Sequence, residues 1–476
     1  MMLVPTIGLE IHCELLTDSK VFCACANSFG GSENTRVCPV CMGLPGTLPA
    51  LNQKAIEFAA KAGLALGCKI NGHSEFDRKN YFYPDLPKAY QISELYQPLC
   101  TGGGLKIKLS DGREKFVRIN HIHLEEDAGK LSHDAFLDLS LADYNRCGVP
   151  LIEIVTEPDM SSAEEAANFV KRVSLFLRYA GVSDCRMEQG SLRADVNISL
   201  REETSPVLGT RAEIKNLNST KSIMRAVEFE IKRQSEILQS GGRVVQETRG
   251  FNENTGKTKS LRSKEDAHDY RYFPDPDIPP VSLSGAKIEE IRGTLPVLPD
   301  ARLEKYTKEY GLSEMDSRNL TENIAISDYF EECIKEFPNP KLVAACILVD
   351  IFRILKDAGE NAGIPFPPAE LVYLLKEREG GRITKADAKT VLIEMFAGGK
   401  TPRAIIKENG LGIEDDADAI VSVIRRVLAE QPKAFAQYKS GEKKVFGFLM
   451  GQCNRYLKGR ASPQALKDAL IKTLDG

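Results

Sequence analysis

Tryptophan is absent from this chain of 476 residues, and aromatic residues of all kinds make up only 7% of it. No apolar run approaches the roughly 18 residues needed to cross a bilayer, so a helical membrane protein is excluded from the expectations. The opening MMLVPTIGLEIH has no basic segment, no long apolar stretch and no small-residue cleavage site, so a secretory signal is not expected either. A cytosolic chain has little use for a disulfide framework, and the 12 cysteines are therefore read as thiols or metal ligands. A strong charge of one sign is also missing: the net charge is −4, which argues against indiscriminate capture of polyanions. Residues 401–476 nevertheless hold 13 Lys and Arg against 9 Asp and Glu, leaving 50 against 58 for the rest. A mildly basic tail on an acidic body suits a local contact with nucleic acid.

A chain this long exceeds what one core can serve, and three textures divide it. Residues 1–293 alternate apolar and polar positions and break often at Gly and Pro, the pattern of a β-rich antiparallel domain with a few helices. Two of those helices are plain. SSAEEAANFVKRVSLFLRYAG starts on a capping box at Ser161 and Glu164 and stops at Gly181, and a second runs from Ser219 to Gly241. The proline-rich PDPDIPP and TLPVLPD punctuate a boundary, residues 294–398 read as an all-α domain, and AGGKTP reads as a hinge. Residues 399–476 read as a small α-helical tail. The fold class expected is α+β, with no internal repeat.

Period-two reading exposes an unusual set of polar faces. In TIGLEIHCE, Glu10, His12 and Glu14 oppose Ile7, Leu9, Ile11 and Cys13. In INHIHLEED, His121, His123, Glu125 and Asp127 oppose Ile122 and Leu124. SLRADVNIS and TRAEIKN add Arg193, Asp195 and Asn197, then Arg211, Glu213 and Lys215. A charged strand face is usually just solvated. If these four faces line one cavity, however, their carboxylates repel unless a cation sits between them. Glu10, His12, Glu125 and Glu213 are then candidate ligands with Asp195 close by, and Arg193, Arg211 and Lys215 can hold phosphate oxygens. Mg²⁺ prefers oxygen donors, and Mn²⁺ tolerates imidazole better. Strand order, which decides between the two readings, is not legible at this level.

Cys23 and Cys25 precede Cys38 and Cys41 by a loop that lets two turns meet, and four converging thiolates make a closed, structural zinc site. No thioredoxin-like context surrounds CPVC, and Cys68, Cys147 and Cys346 read as core residues. GFNENTGKT imitates a phosphate-binding loop, but five residues separate its glycines where four are allowed, so NTGKT is read as a hairpin turn. FDRKNYFYPDLPKAYQIS interleaves Arg78, Lys79 and Lys88 with Tyr81, Phe82, Tyr83 and Tyr90, which fits stacking on a nucleotide or unpaired RNA end and equally a tyrosine-rich core edge.

Taken together, IGLEIHCELLTDSKVFC, CPVCMGLPGTLPALN, the FDRKNYFYPD block, HLEEDAGK, DYNRCGVPLIEIVTEPD, EQGSLRADVNISLR, EIKNLNS, QETRGFN and RSKEDAHDYRYFPDPDIPP resemble the signature blocks of one family. It is the B-subunit family of bacterial aspartyl/glutamyl-tRNA(Asn/Gln) amidotransferases, the GatB family. The resemblance spans almost the whole chain. The one departure noticed is GSENT, which lies in the zinc loop and touches nothing catalytic.

The resemblance implies a β-rich cradle with a kinase and transamidase centre, a helical domain, and a YqeY-like tail that grips tRNA. It implies a ligase, cytoplasmic and heterotrimeric, using ATP, Mg²⁺ (or Mn²⁺) and a structural Zn²⁺. ATP would phosphorylate the side-chain carboxylate of Glu-tRNA(Gln) and/or Asp-tRNA(Asn), and ammonia would displace the phosphate. The partners implied are a glutaminase, the A subunit, which makes the ammonia, and a small C subunit. No glutaminase nucleophile is evident in this chain. By the same resemblance, Glu10, His12, Glu125, Asp195 and Glu213 bind metal and ATP beside Arg193 and Lys215, and Lys79, Lys88, His123, Glu126 and Asp127 line the ammonia route. A non-catalytic zinc-containing tRNA-binding module and a stand-alone two-metal hydrolase are the alternatives, separable by tRNA-stimulated ATP hydrolysis and by amidation with free ammonium.

Overall fold

The alternation in TIGLEIHCE builds the central strand of the molecule. In the computed structural model, which describes residues 2–134, 138–263, 269–358, 363–412, 417–442, 444–457 and 461–475, this strand is Leu3–Glu14. Ile7, Leu9, Ile11 and Cys13 are buried on one side of it, while Glu10, His12 and Glu14 lie half-buried on the other. Leu192–Glu202 pairs along nearly its whole length on one flank, and Pro150–Thr156 on the other.

Outward from these three, the large sheet continues through Ala212–Lys215, Glu247–Asn252 and Lys257–Ser263 on one side. On the other it continues through Glu114–Glu126, Cys100–Thr101 and Lys69–Ile70, with Gly104–Lys108 also paired to Glu114–Glu126. Every pairing in it is antiparallel except Ala212–Lys215 with Glu247–Asn252. Parallel neighbours need a long crossover, and the helix Thr220–Gln239 supplies it. Asn252 and Lys257 then close a hairpin over ENTG, where Gly256 takes φ +66°. NTGKT is thus a turn and not a phosphate loop.

Helices Gln53–Ala65, Ala163–Ala180 and Thr220–Gln239 supply side chains to the core beneath the sheet. Phe169, Val170, Val173, Leu177, Ile223, Ala226 and Val227 join Ile7, Leu9, Ile11, Val196, Ile198 and Ile214 in one cluster. Covering this side leaves the opposite, charged side of the same strands open around Glu10, whereas His123 and Glu125 on it are buried. Ala163–Ala180 begins one residue later than the sequence suggested. Ser162 is the cap, accepting the Glu165 N–H at 3.2 Å, because the Glu165 carboxylate folds back to accept the Ser161 N–H at 2.6 Å.

A smaller sheet joins His73–Asn80 to Tyr90–Gln97, Phe273–Pro274 and Val281–Ser282, bringing the DRKN and RYFPDPD blocks side by side. Residues 264–268, earlier in RSKEDAHDYRYFPDPDIPP, lie outside the described residues.

The chain divides into two compact units at Pro299 and Asp300. The second unit is helical among its described residues and holds two cores. One gathers Tyr306, Leu320, Phe330, Val343, Ile347, Leu371, Leu375 and Val391, and Ile405, beyond the expected AGGKTP hinge, packs into it as well. The other is built from Ile420, Ile424 and Val427 against Leu449, Cys453, Leu466, Leu470 and Leu474, the i, i+4 spacing of short amphipathic helices.

Candidate active site

Directly opposed residues of paired strands point to the same side of a sheet, so register decides which polar groups meet. One row across the open face reads His123–Glu153–His12–Arg193. Beside it run Val155–Glu10–Asp195 and, one step further, Gly8–Asn197–Glu213–Thr248. On the other side lies Glu14–Leu151–Glu125.

Two groups of donor atoms result, each within 4.8 Å of one another. The first is His12, Glu125 and Glu153, with His12 Nε2 at 3.2 Å from Glu153 Oε2 and 3.9 Å from Glu125 Oε1. The second is Glu10, Asp195 and Glu213. The four ligands expected from the sequence thus divide, His12 and Glu125 in one group and Glu10 and Glu213 in the other, two residues apart on the central strand. Glu153 was not anticipated. Its signal was a lone carboxylate in the apolar run PLIEIVT, easily passed over because the neighbouring positions look like an ordinary buried strand.

Charge accounts for the behaviour of both groups. Burial raises the pKa of Glu10, and the carboxylates of Glu153 and Glu213 add to the effect, although the Asn197 amide donates to Glu10 Oε1 at 2.9 Å. Burial also opposes ionisation of Glu153, but the bond from His12 and the charges of His123, His12 and Lys79 outweigh it and hold Glu153 below the usual range. Lys79, also opposed by burial, is kept charged by the carboxylates of Glu125 and Glu153. Lys215 bridges the second group, its Nζ at 2.8 Å from Asp195 and 2.9 Å from Glu213, while the Thr248 hydroxyl donates to Glu213 at 2.8 Å. Ligands at neighbouring corners of an octahedron of radius about 2.1 Å stand about 3 Å apart, so the separations in the first group fit one small divalent ion.

A cleft of about 450 Å³ opens against Glu10, with Gly8, Thr156, Pro158, Asn197, Thr210, Arg211 and Gln246 in its walls. Arg211 is exposed there, whereas Arg193 is occupied: its Nη2 donates to Asp127 at 2.7 Å. Asp127 also faces Arg146 at 3.5 Å and stays below its ordinary pKa, the arginines outweighing burial, while burial and Asp127 push neighbouring Glu14 up to about 8.

The expected ammonia-route residues do not form one cluster. Lys88 and Glu126 are ion-paired, and the Ile92 N–H also donates to Glu126 at 3.0 Å. Lys79 and His123 instead sit with the first donor group, His123 Nε2 at 3.6 Å from both Glu125 and Glu153. Arg78 pairs with Asp275 at 2.7 Å and Asp277 at 2.6 Å, joining the two aromatic blocks, while Phe82 and Tyr83 remain 80% and 55% exposed.

Cys23, Cys25, Cys38 and Cys41 converge. As bare thiols they share protons: hydrogen bonding from Cys23 pulls Cys41 down to about 4, and the same bond drives Cys23 far above the thiol range. A donor set of four soft sulfurs in this proximity fits tetrahedral zinc. A cavity of about 240 Å³ between this cluster and the Lys88–Glu126 pair is lined by Cys23, Cys41, Lys88, Tyr90, Glu126 and Gly148.

Comparison with known proteins agrees with this geometry. Residues 5–289 match the profile of the GatB/GatE catalytic domain, and residues 328–474 match the GatB domain that follows it in the family. The B subunit of an aspartyl/glutamyl-tRNA(Asn/Gln) amidotransferase from Ruminiclostridium cellulolyticum is 54% identical over 99% of this chain and 97% of its own length. Proteins of the same description from Caldicellulosiruptor saccharolyticus and Carboxydothermus hydrogenoformans are 51% and 49% identical, each over 98% of both sequences. The chain belongs to the GatB/GatE family of amidotransferase B subunits.

Proposed function

We propose that the open face of the large sheet activates a carboxylate on a mischarged tRNA, Glu-tRNA(Gln) and/or Asp-tRNA(Asn), by ATP-dependent phosphorylation and then converts it to the amide. The observation that carries this reading is the pair of donor groups, His12–Glu125–Glu153 and Glu10–Asp195–Glu213, linked through the central strand, with a cleft of about 450 Å³ opening against Glu10. His12, Glu125 and Glu153 would hold Mg²⁺ or Mn²⁺, and the second group a further share of the metal–nucleotide complex. A divalent ion there neutralises the charge that builds on a transferring phosphoryl group. Lys215, held at the second group, would meet phosphate oxygens as a point charge, and Arg211, exposed at the cleft wall, would meet them as a two-pronged donor. Asn197 and Thr248 fix the Glu10 and Glu213 carboxylates by donating to them.

Ammonia would arrive by way of the Lys88–Glu126 pair from the glutaminase of the complex, its A subunit, and a small C subunit would complete this cytoplasmic assembly. The pair lines a cavity of about 240 Å³, and its parting would admit a small polar molecule, which suits a gate. The Cys23–Cys41 cluster would hold zinc as a structural staple. Residues 399–476, the mildly basic tail, would grip tRNA. Among the described residues no helix is long and apolar enough to cross a membrane.

The test is amidation of Glu-tRNA(Gln) by the assembled complex with ATP and ammonium chloride in place of glutamine. Glu125→Gln should abolish phosphoryl transfer and leave the partner's glutamine hydrolysis intact; full turnover by that variant refutes the site.

A further inference from the structure

Lys20, in the SKVFC stretch just ahead of Cys23, is fully buried. A buried ammonium is costly unless it is paired and its protons are bonded. Among the described residues no carboxylate lies within ion-pair distance of it. Its Nζ instead donates to the carbonyl oxygens of Arg36 at 2.8 Å and Tyr144 at 3.4 Å, and to Cys41 Sγ at 3.7 Å. Three acceptors use all three ammonium protons. Two carbonyls solvate a cation but do not neutralise it, and the sulfur is the only member of the shell able to carry negative charge. Cys41 also accepts the Cys38 N–H at 3.2 Å, so its sulfur receives two donors besides any metal. The Lys20 N–H bonds the Cys25 carbonyl at 2.9 Å, tying the same residue to the other cysteine pair.

We propose that Lys20 is the counter-charge of the four-cysteine centre, a positioning residue that sets how tightly the centre holds its metal. The proposal rests on the reading of the cluster as a metal site. Four thiolates around Zn²⁺ carry a net charge of −2, and one ammonium bonded to a ligand sulfur halves it. Hydrogen bonds to ligand sulfur orient the thiolate and hold it deprotonated, which is how groups beyond the ligands tune a metal. The chemistry demanded is therefore a soft divalent cation in an all-sulfur site, with the compensating cation supplied by this chain.

The experiment measures zinc content and affinity by chelator competition on the full-length chain. Lys20→Met keeps the length of the side chain and removes the charge, and is expected to weaken zinc about 10–100-fold. In a Cys25→His or Cys38→His chain a neutral ligand has already lowered the site charge, so the same Lys20→Met change should cost less than about threefold; a lysine that only fills space costs the same in both backgrounds. Equal losses, or none, overturn the role of Lys20 while leaving the metal site standing. A wild-type chain that takes up no zinc overturns the metal reading and this proposal together. If Lys20→Met does not fold, rescue of soluble, zinc-bearing protein by the His substitution supports the charge argument, and failure in every background overturns it. If neither His chain holds zinc, Lys20→Arg decides: recovery of affinity over Lys20→Met supports the proposal and no recovery ends it.

Discussion

Glu94 offers the sharpest test of the electrostatics beneath the sheet. It is buried on Tyr90–Gln97, and burial pushes its pKa up to about 7 from 4.5. Its hydrogen bonds accommodate the neutral acid. Oε2 accepts the N–H groups of Leu99 and Leu124, both at 3.1 Å. Oε1 lies 2.6 Å from Ser74 Oγ, which is also 2.8 Å from the Gln97 carbonyl. One hydroxyl proton cannot serve both oxygens. A protonated Glu94 resolves this by donating to Ser74, which then donates to Gln97. Because the folded pKa is raised, folding favours the protonated form. Stability is untouched below about pH 4.5, falls as pH rises towards 7, and carries the full penalty above it. A shift of that size corresponds to about 3 kcal/mol.

Glu94→Gln mimics the neutral acid, its carbonyl accepting the two N–H groups and its amide donating to Ser74. Hydrogen exchange of peptides covering 92–100 and 119–126 reads the opening free energy of these strands directly, which matters in a chain of two units where global unfolding is not two-state. The variant should be more protected than wild type by about 3 kcal/mol at pH 8 and by almost nothing at pH 4. A difference that does not change with pH, or a variant weaker at pH 8, refutes the reasoning.

Other outcomes follow from the same structure. Glu153→Gln removes the carboxylate between His12 and His123, and should cost more than about 100-fold in ATP-dependent carboxylate phosphorylation, measured on acid-quenched aminoacyl-tRNA, with the partner's glutaminase rate unchanged. Lys88→Met should lower glutamine-driven amidation far more than amidation by added ammonium chloride; equal loss in the two assays would remove the pair from the ammonia route. Glu230 is fully buried, with Arg233 Nη2 at 2.8 Å and Arg249 Nε at 3.0 Å. Glu230→Gln leaves Glu247 as the remaining carboxylate for Arg249 and the half-buried Arg233, and local opening of Glu247–Asn252 by hydrogen exchange should become easier by about 1–3 kcal/mol.

Much of this molecule is local in origin. Alternation in TIGLEIHCE and SLRADVNIS was enough to separate a core face from a charged face, since side-chain direction in a strand depends only on residue parity. The cap at Ser219, the stop at Gly181 and the spacing of four cysteines were legible for the same reason, each being a relation between residues close in the chain, while the other cap fell on Ser162 and the other helix ended on Ser240. What parity cannot supply is the partner across the sheet. Whether Glu10 meets Glu213 or Glu125 depends on strand order and register, and these are set by how helices 163–180 and 220–239 bury the opposite face. Only the folded sheet divided the expected cage in two, brought Glu153 into it, engaged Arg193 with Asp127 rather than leaving it for phosphate, and left Lys20 with a cysteine sulfur as its counter-ion. Charges interact through space, and distance through space is decided by packing far along the chain.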